Sequence, residues 1–117
     1  MKYLYLLYAD ESQMPAPNSP EMDKQQAAYG AFYELTNGAG AFKGGDPVKP
    51  SSTSTTVRVR NGETQRASGP FSSAADQVIG FYVLEAASDD EAIDYAAKIP
   101  AASVGAVEVR PIISAGG

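Results

Sequence analysis

Two segments of this chain are apolar or aromatic at nearly every position, Lys2-Tyr-Leu-Tyr-Leu-Leu-Tyr8 and Val78-Ile-Gly-Phe-Tyr-Val-Leu84. A strand exposed to water on one face alternates apolar with polar residues. Unbroken runs of this kind predict strands covered on both faces, hence the centre of a sheet. The first run sets Tyr3, Tyr5 and Leu7 against Leu4, Leu6 and Tyr8. The second sets Ile79, Phe81 and Val83 against Tyr82 and Leu84.

The intervening sequence predicts the other elements. Ser19-Pro20 is an N-cap followed by proline at the first helical position. The helix it opens is expected over 20–37, with Ala28, Phe32 and Leu35 as the inward stripe and Gly38 as the stop. Ala41–Lys43 is expected as a short strand ended by Gly44-Gly45-Asp46-Pro47. Asn61-Gly62 between two strand-like segments predicts a hairpin over 55–68 with a type I′ turn, which pairs Arg60 with Glu63, Arg58 with Gln65 and Val57 with Arg66. Ser88-Asp-Asp-Glu91 is a capping box opening a helix to Lys98, with Ala92, Ile93, Ala96 and Ala97 inward. Val107 and Val109 alternate with Glu108 and Arg110 in a last strand, and a frayed tail is expected over 114–117.

The order is β-α-β-(hairpin)-β-α-β within a single domain over 1–113, a ferredoxin-like α+β protomer. Right-handed crossovers place both helices on one sheet face. The opposite face is then apolar and uncovered, which predicts a homodimer paired sheet to sheet; the alternative is that the inserted hairpin folds over its own sheet.

The 117 residues hold no cysteine and no histidine. Thiolate nucleophiles, Ser-His-Asp triads and His-based metal sites are excluded, and acid–base chemistry falls to Asp, Glu, Tyr or Lys. No metal or cofactor is expected. Nine Lys and Arg against fourteen Asp and Glu give a net charge of −5, which disfavours a nucleic-acid partner. No apolar run reaches the roughly 20 residues that span a bilayer, and Met1–Tyr8 has the pattern of a strand rather than a secretory signal; the expected location is the cytoplasm.

The chain resembles the YCII-related proteins along nearly its whole length, in particular the branch marked by an Asp-Gly-Pro-Phe motif. The resemblance is carried by Met1–Tyr8, Gly44-Gly-Asp46, Thr55–Arg60, Ser68-Gly-Pro-Phe71, Gly80-Phe-Tyr82, Asp90-Glu-Ala92, Ile99-Pro-Ala101 and Val107–Pro111. It implies a dimeric α/β barrel and a small-molecule pocket lined by His and Asp, and some relatives are fused to sigma-factor-like regions. Here the helix position of that His is Tyr29, the motif Asp is Ser68, and the charged segment after the motif keeps one carboxylate, Asp76. The acidic residue after the double glycine remains as Asp46.

Candidate ligand-binding residues are therefore Tyr29, Asp46, Ser68 and Phe71, and candidate catalytic residues are Tyr29 with Asp46 or Asp76. Each has a plain structural role as well. Tyr29 suits the rim of a core, Ser68 and Asp46 suit turns, Asp76 suits a solvated loop, and Phe71 anchors its turn to the core or to a dimer seam. Two functions stay open: a module that binds a small organic molecule or acts as a scaffold, and an enzyme of lyase or isomerase type that transfers protons through Tyr29 and a carboxylate.

Overall fold

The computed structural model describes residues 1–114, so all of the expected tail except Ser114 lies outside the described residues. The strands are β1 (Lys2–Asp10), β2 (Phe42–Pro47), β3 (Thr55–Arg60), β4 (Glu63–Ser68), β5 (Asp76–Glu85) and β6 (Ala106–Pro111). The helices are α1 (Pro20–Gly38), α2 (Asp89–Lys98) and the single turn α3 (Ala101–Val104). An antiparallel sheet in the order β2-β5-β1-β6 forms the body, and β3-β4 is a separate two-stranded hairpin. This α+β arrangement is compatible with a ferredoxin-like fold, and the two unbroken apolar segments form its central pair. No helix among the described residues is long and apolar enough to cross a membrane.

Local chemistry accounts for most of the boundaries. Ser19 caps α1, its Oγ accepting from the Met22 amide at 3.1 Å, with Pro20 at the first position. Ser88 caps α2 by accepting from the Glu91 amide at 3.1 Å. The reciprocal bond of this capping box is displaced by one residue, since Glu91 Oε1 accepts from the Ala87 amide at 3.1 Å. Asn61 (φ 52°) and Gly62 (φ 79°) both adopt positive φ, as a type I′ turn requires. The Arg60–Glu63, Arg58–Gln65 and Val57–Arg66 pairs form in the expected register.

Tyr3, Tyr5 and Leu7 of β1 and Leu84 of β5 are buried with Phe32 of α1 and Ala92 and Ala96 of α2 in one core on the helical face. The hydroxyls of the two tyrosines of β1 in this core are paired. The Tyr5 hydroxyl donates to the Ala92 carbonyl at 3.1 Å, and the Tyr3 hydroxyl donates to Asp89 at 2.6 Å. The opposite face carries Leu4, Leu6, Phe81 and Val83, each only partly buried. The hairpin does not roof it, because every residue from Val57 to Ser68 is exposed.

Five expectations are corrected. On α1, Ala28 and Leu35 face solvent, and the buried positions are Phe32 and Thr36. Thr36 tolerates burial because its hydroxyl donates to the Phe32 carbonyl at 2.9 Å. Gly38 is still helical, and the left-handed residue that ends α1 is Gly40 (φ 72°). On α2, Ile93 and Ala97 are exposed, while Tyr95 and Ile99 join Ala92 and Ala96 along one i, i+3, i+4 stripe. Gly44-Gly45-Asp46-Pro47 does not break β2 but completes it, its irregularity absorbed as a bulge beside Phe42. Finally, a bulge opposite Leu7 and Tyr8 leaves Ile79 unpaired in β5 and turns it toward the helical core.

Candidate functional site

A cleft of about 730 Å³ opens between the first half of α1 and the β5–β2 side of the sheet. That volume lies within the range typical of small-molecule sites. Its aromatic walls are Tyr29 and Tyr33 from α1, Phe42 from β2 and Tyr82 from β5, and the bulged Ile79 adds an aliphatic patch. The walls are locked to one another by edge-to-face contacts, with ring centroids 5.0 Å apart for Tyr33–Phe42 and 6.3 Å for Phe42–Tyr82. Phe32 holds the Tyr82 ring from the core side at 5.1 Å.

Gly45 permits this geometry. At φ 155° it passes so close to β5 that a Cβ there would lie 2.6 Å from the Phe81 carbonyl oxygen and 2.6 Å from Cδ1 of Tyr82. The loops at the mouth are tied by Glu11, whose carboxylate accepts from the Ser51 amide at 2.7 Å and also from the Ser51 hydroxyl.

Two residues that line the cleft each have a polar atom buried without a hydrogen-bond partner among the described residues, the Tyr29 hydroxyl and Gln25 Oε1. Gln25 and Tyr29 stand one helical turn apart on the same face of α1. Burial pushes the Tyr29 hydroxyl above the usual tyrosine range, opposed by smaller pulls from the Ala101 backbone and the Gln25 side chain, neither of which makes a hydrogen bond of good geometry with it. Burial, with a smaller contribution from Tyr29, pushes Tyr82 up to about 12. Both are neutral phenols at physiological pH, suited to donate a hydrogen bond and poorly suited to act as bases. Leaving a buried donor or acceptor unpaired costs about 1–3 kcal/mol, which a ligand group reaching it would recover.

The six candidate positions fall in three places. Tyr29 and Asp46 line the same cleft. Phe71 and Asp76 line a different cavity, of about 830 Å³, at the root of the hairpin. Ser68 ends β4 and lines neither cavity. Asp76 is not brought to Tyr29; it opens β5 and pairs with Asp10 across the sheet. Phe71 is not anchored in the core, since 77% of it is exposed and Arg58 lies over its ring at 5.0 Å from the centroid. Gly69 has φ 103°, so the Gly-Pro step of the motif is a backbone device. Gln25 and Tyr82 join the site without being among the sequence candidates. Gln25 was discoverable as the residue four before Tyr29, and Tyr82 as the partner of Leu84 on the helical face.

Residues 1–115 match the YCII-related domain. This chain belongs to the YCII-related family. It is 34% identical over 114 residues to an uncharacterised protein of Rhizobium meliloti (strain 1021), covering 96% of this chain and 92% of that one. Among solved structures, the chain is similar in fold to a 5-chloro-2-hydroxyhydroquinone dehydrochlorinase from Burkholderia phenoliruptrix AC1100, determined in complex with 2,5-dihydroxybenzoquinone. That structure superposes with a TM-score of 0.53 at 18% identity, covering 98% of this chain and 96% of the other.

Proposed function

We propose that this YCII-related domain, of the Asp-Gly-Pro-Phe branch, binds a small, flat organic molecule in the α1–β5 cleft. It does so in the cytoplasm as a homodimer whose sheets pair through their uncovered faces as a dimeric α/β barrel. One observation carries the binding assignment: an aromatic-walled cleft is lined by Gln25 and Tyr29, whose Oε1 and hydroxyl are buried without a partner among the described residues. Gln25 Oε1 accepts only, so the ligand must present a donor to it, and Tyr29 supplies a phenolic donor to a ligand oxygen. A hydroxylated ring satisfies both and stacks on the tyrosines. Dimerisation is supported by the partly buried flank of Leu4, Leu6, Phe81 and Val83, whose remaining apolar surface a second copy would remove from water.

A second function is favoured by the sharing of one cleft by Tyr29 and Asp46. There the carboxylate takes a proton from the substrate while Tyr29 stabilises the developing oxyanion, as a lyase or isomerase step requires. The His and Asp implied for the family are Tyr29 and Ser68 here, which favours binding without turnover.

Calorimetric titration with hydroxylated aromatics, 2,5-dihydroxybenzoquinone among them, tests the assignment. Saturable binding is expected, weakened about five- to thirteen-fold by Tyr29→Phe, as loss of one hydrogen bond of about 1–1.5 kcal/mol dictates. Turnover abolished by both Tyr29→Phe and Asp46→Asn would establish the enzyme instead. Affinity indifferent to Tyr29→Phe and to Gln25→Leu would place the ligand elsewhere.

A further inference from the structure

We propose that the β3–β4 hairpin is an arm that docks on the body of a second copy of this chain; this rests on the dimer proposed above. The molecule is far more extended than its length requires, and the hairpin forms a sheet separate from its body. The radius of gyration is 16.2 Å, against roughly 13 Å for a compact chain of this size. The molecule measures 47 by 46 Å but only 18 Å in thickness.

An isolated two-stranded hairpin is marginal in water and needs a surface to pack on. This one has a full register and a well-formed turn, yet finds no such surface among the described residues. Val57 and Val59 point to the same side of β3 and are 57% and 58% exposed. Phe71 at the root is more exposed still, with Arg58 of the hairpin over its ring.

Charge identifies the partner as another copy. Thr55–Ser68 carries three of the four arginines, Arg58, Arg60 and Arg66, against the single carboxylate Glu63. The rest of the chain holds six cations and thirteen carboxylates, so an arm of +2 belongs to a body of −7. Such an arm is attracted to the body of a like molecule, and in a two-fold dimer the contact is made twice.

The test uses the absence of cysteine from the sequence, so that Val59→Cys introduces a single thiol at an exposed site. Its alkylation by a small maleimide is followed alongside sedimentation equilibrium of the same protein. A docked arm slows alkylation about ten-fold or more relative to the urea-unfolded chain, and Val57→Asp/Val59→Asp weakens the dimer by about ten-fold or more. A dimer whose thiol reacts as fast as in urea overturns the arm and leaves the paired sheets standing. A Phe81→Asp variant that stays dimeric until the hairpin is replaced by a short glycine linker overturns the paired sheets and leaves the arm standing. A monomer at micromolar concentration overturns both.

Discussion

Gly44 and Gly45 are neighbours in one strand, and the structure predicts opposite outcomes for replacing them by alanine. A Cβ on Gly44 meets nothing within 4 Å. A Cβ on Gly45 meets the Phe81 carbonyl oxygen and the Tyr82 ring, each at 2.6 Å, from a backbone at φ 155°. The carbonyl belongs to a central strand and cannot swing aside, so β2 must move outward by most of an ångström. Overpacking of this kind costs about 1–3 kcal/mol, and the unfavourable backbone conformation adds about 1 kcal/mol. Gly45→Ala is therefore expected to lose about 2–4 kcal/mol, or roughly 8–16 °C in Tm for a domain of this length. Gly44→Ala is expected to be neutral, or more stable by up to about 0.5 kcal/mol through the restricted unfolded chain. Urea denaturation followed by far-ultraviolet circular dichroism measures both. Equal stabilities within about 0.5 kcal/mol would refute the close approach of β2 to β5, and with it the position of the Tyr82 wall. Displacement of that wall also predicts that Gly45→Ala binds hydroxylated aromatics more weakly than Gly44→Ala.

Phe32 sits between Tyr82 and Tyr95, with centroids at 5.1 and 6.5 Å, so Phe32→Ala is expected to cost about 3–5 kcal/mol in the same denaturation assay. Alkaline stability reports the buried tyrosines. Burial pushes Tyr5 up to about 12, and the hydrogen bond to Asp89 does the same for Tyr3, from an ordinary value of 10.0. A raised folded pKa means that the native state holds its proton more tightly, so this stabilisation is complete below pH 10 and lost as pH rises toward 12. The urea midpoint should fall across that interval, and Tyr82→Phe should make the fall shallower; a flat midpoint would contradict the burial of these hydroxyls.

Elements whose cause is local were legible in the sequence. Ser19-Pro20, Ser88 with Glu91, and Asn61-Gly62 each satisfy or position backbone groups within a few residues, and each occurs where expected. Residues whose placement depends on a distant neighbour were not legible in this way. Thr36 reads as polar, yet it is buried because helical carbonyls accept its hydroxyl, whereas Ile93 reads as core and faces water because the helix is rotated toward Tyr95 and Ile99. The candidate site divides along the same line. Tyr29 is marked by a family motif, while Gln25 and Tyr82 carry only the weaker signals of helical spacing and strand alternation, and α1 lying over β5 is what joins them to it. Sequence proximity also misled for the Ser68–Phe71 motif, whose members lie at the hairpin root and outside the tyrosine cleft.

The extra residue in β5 has an effect beyond its own kink. Without it, strict alternation would send Ile79 to the same side as Phe81 and Val83, and the floor beneath Tyr29 and Tyr82 would lose its aliphatic surface. One offset in pairing thus lets a single strand furnish two chemically different surfaces, aromatic and aliphatic toward the helices, aliphatic with one ring toward the other side. A variant with Ile79 deleted would restore a regular ladder and, in doing so, hollow out the cleft.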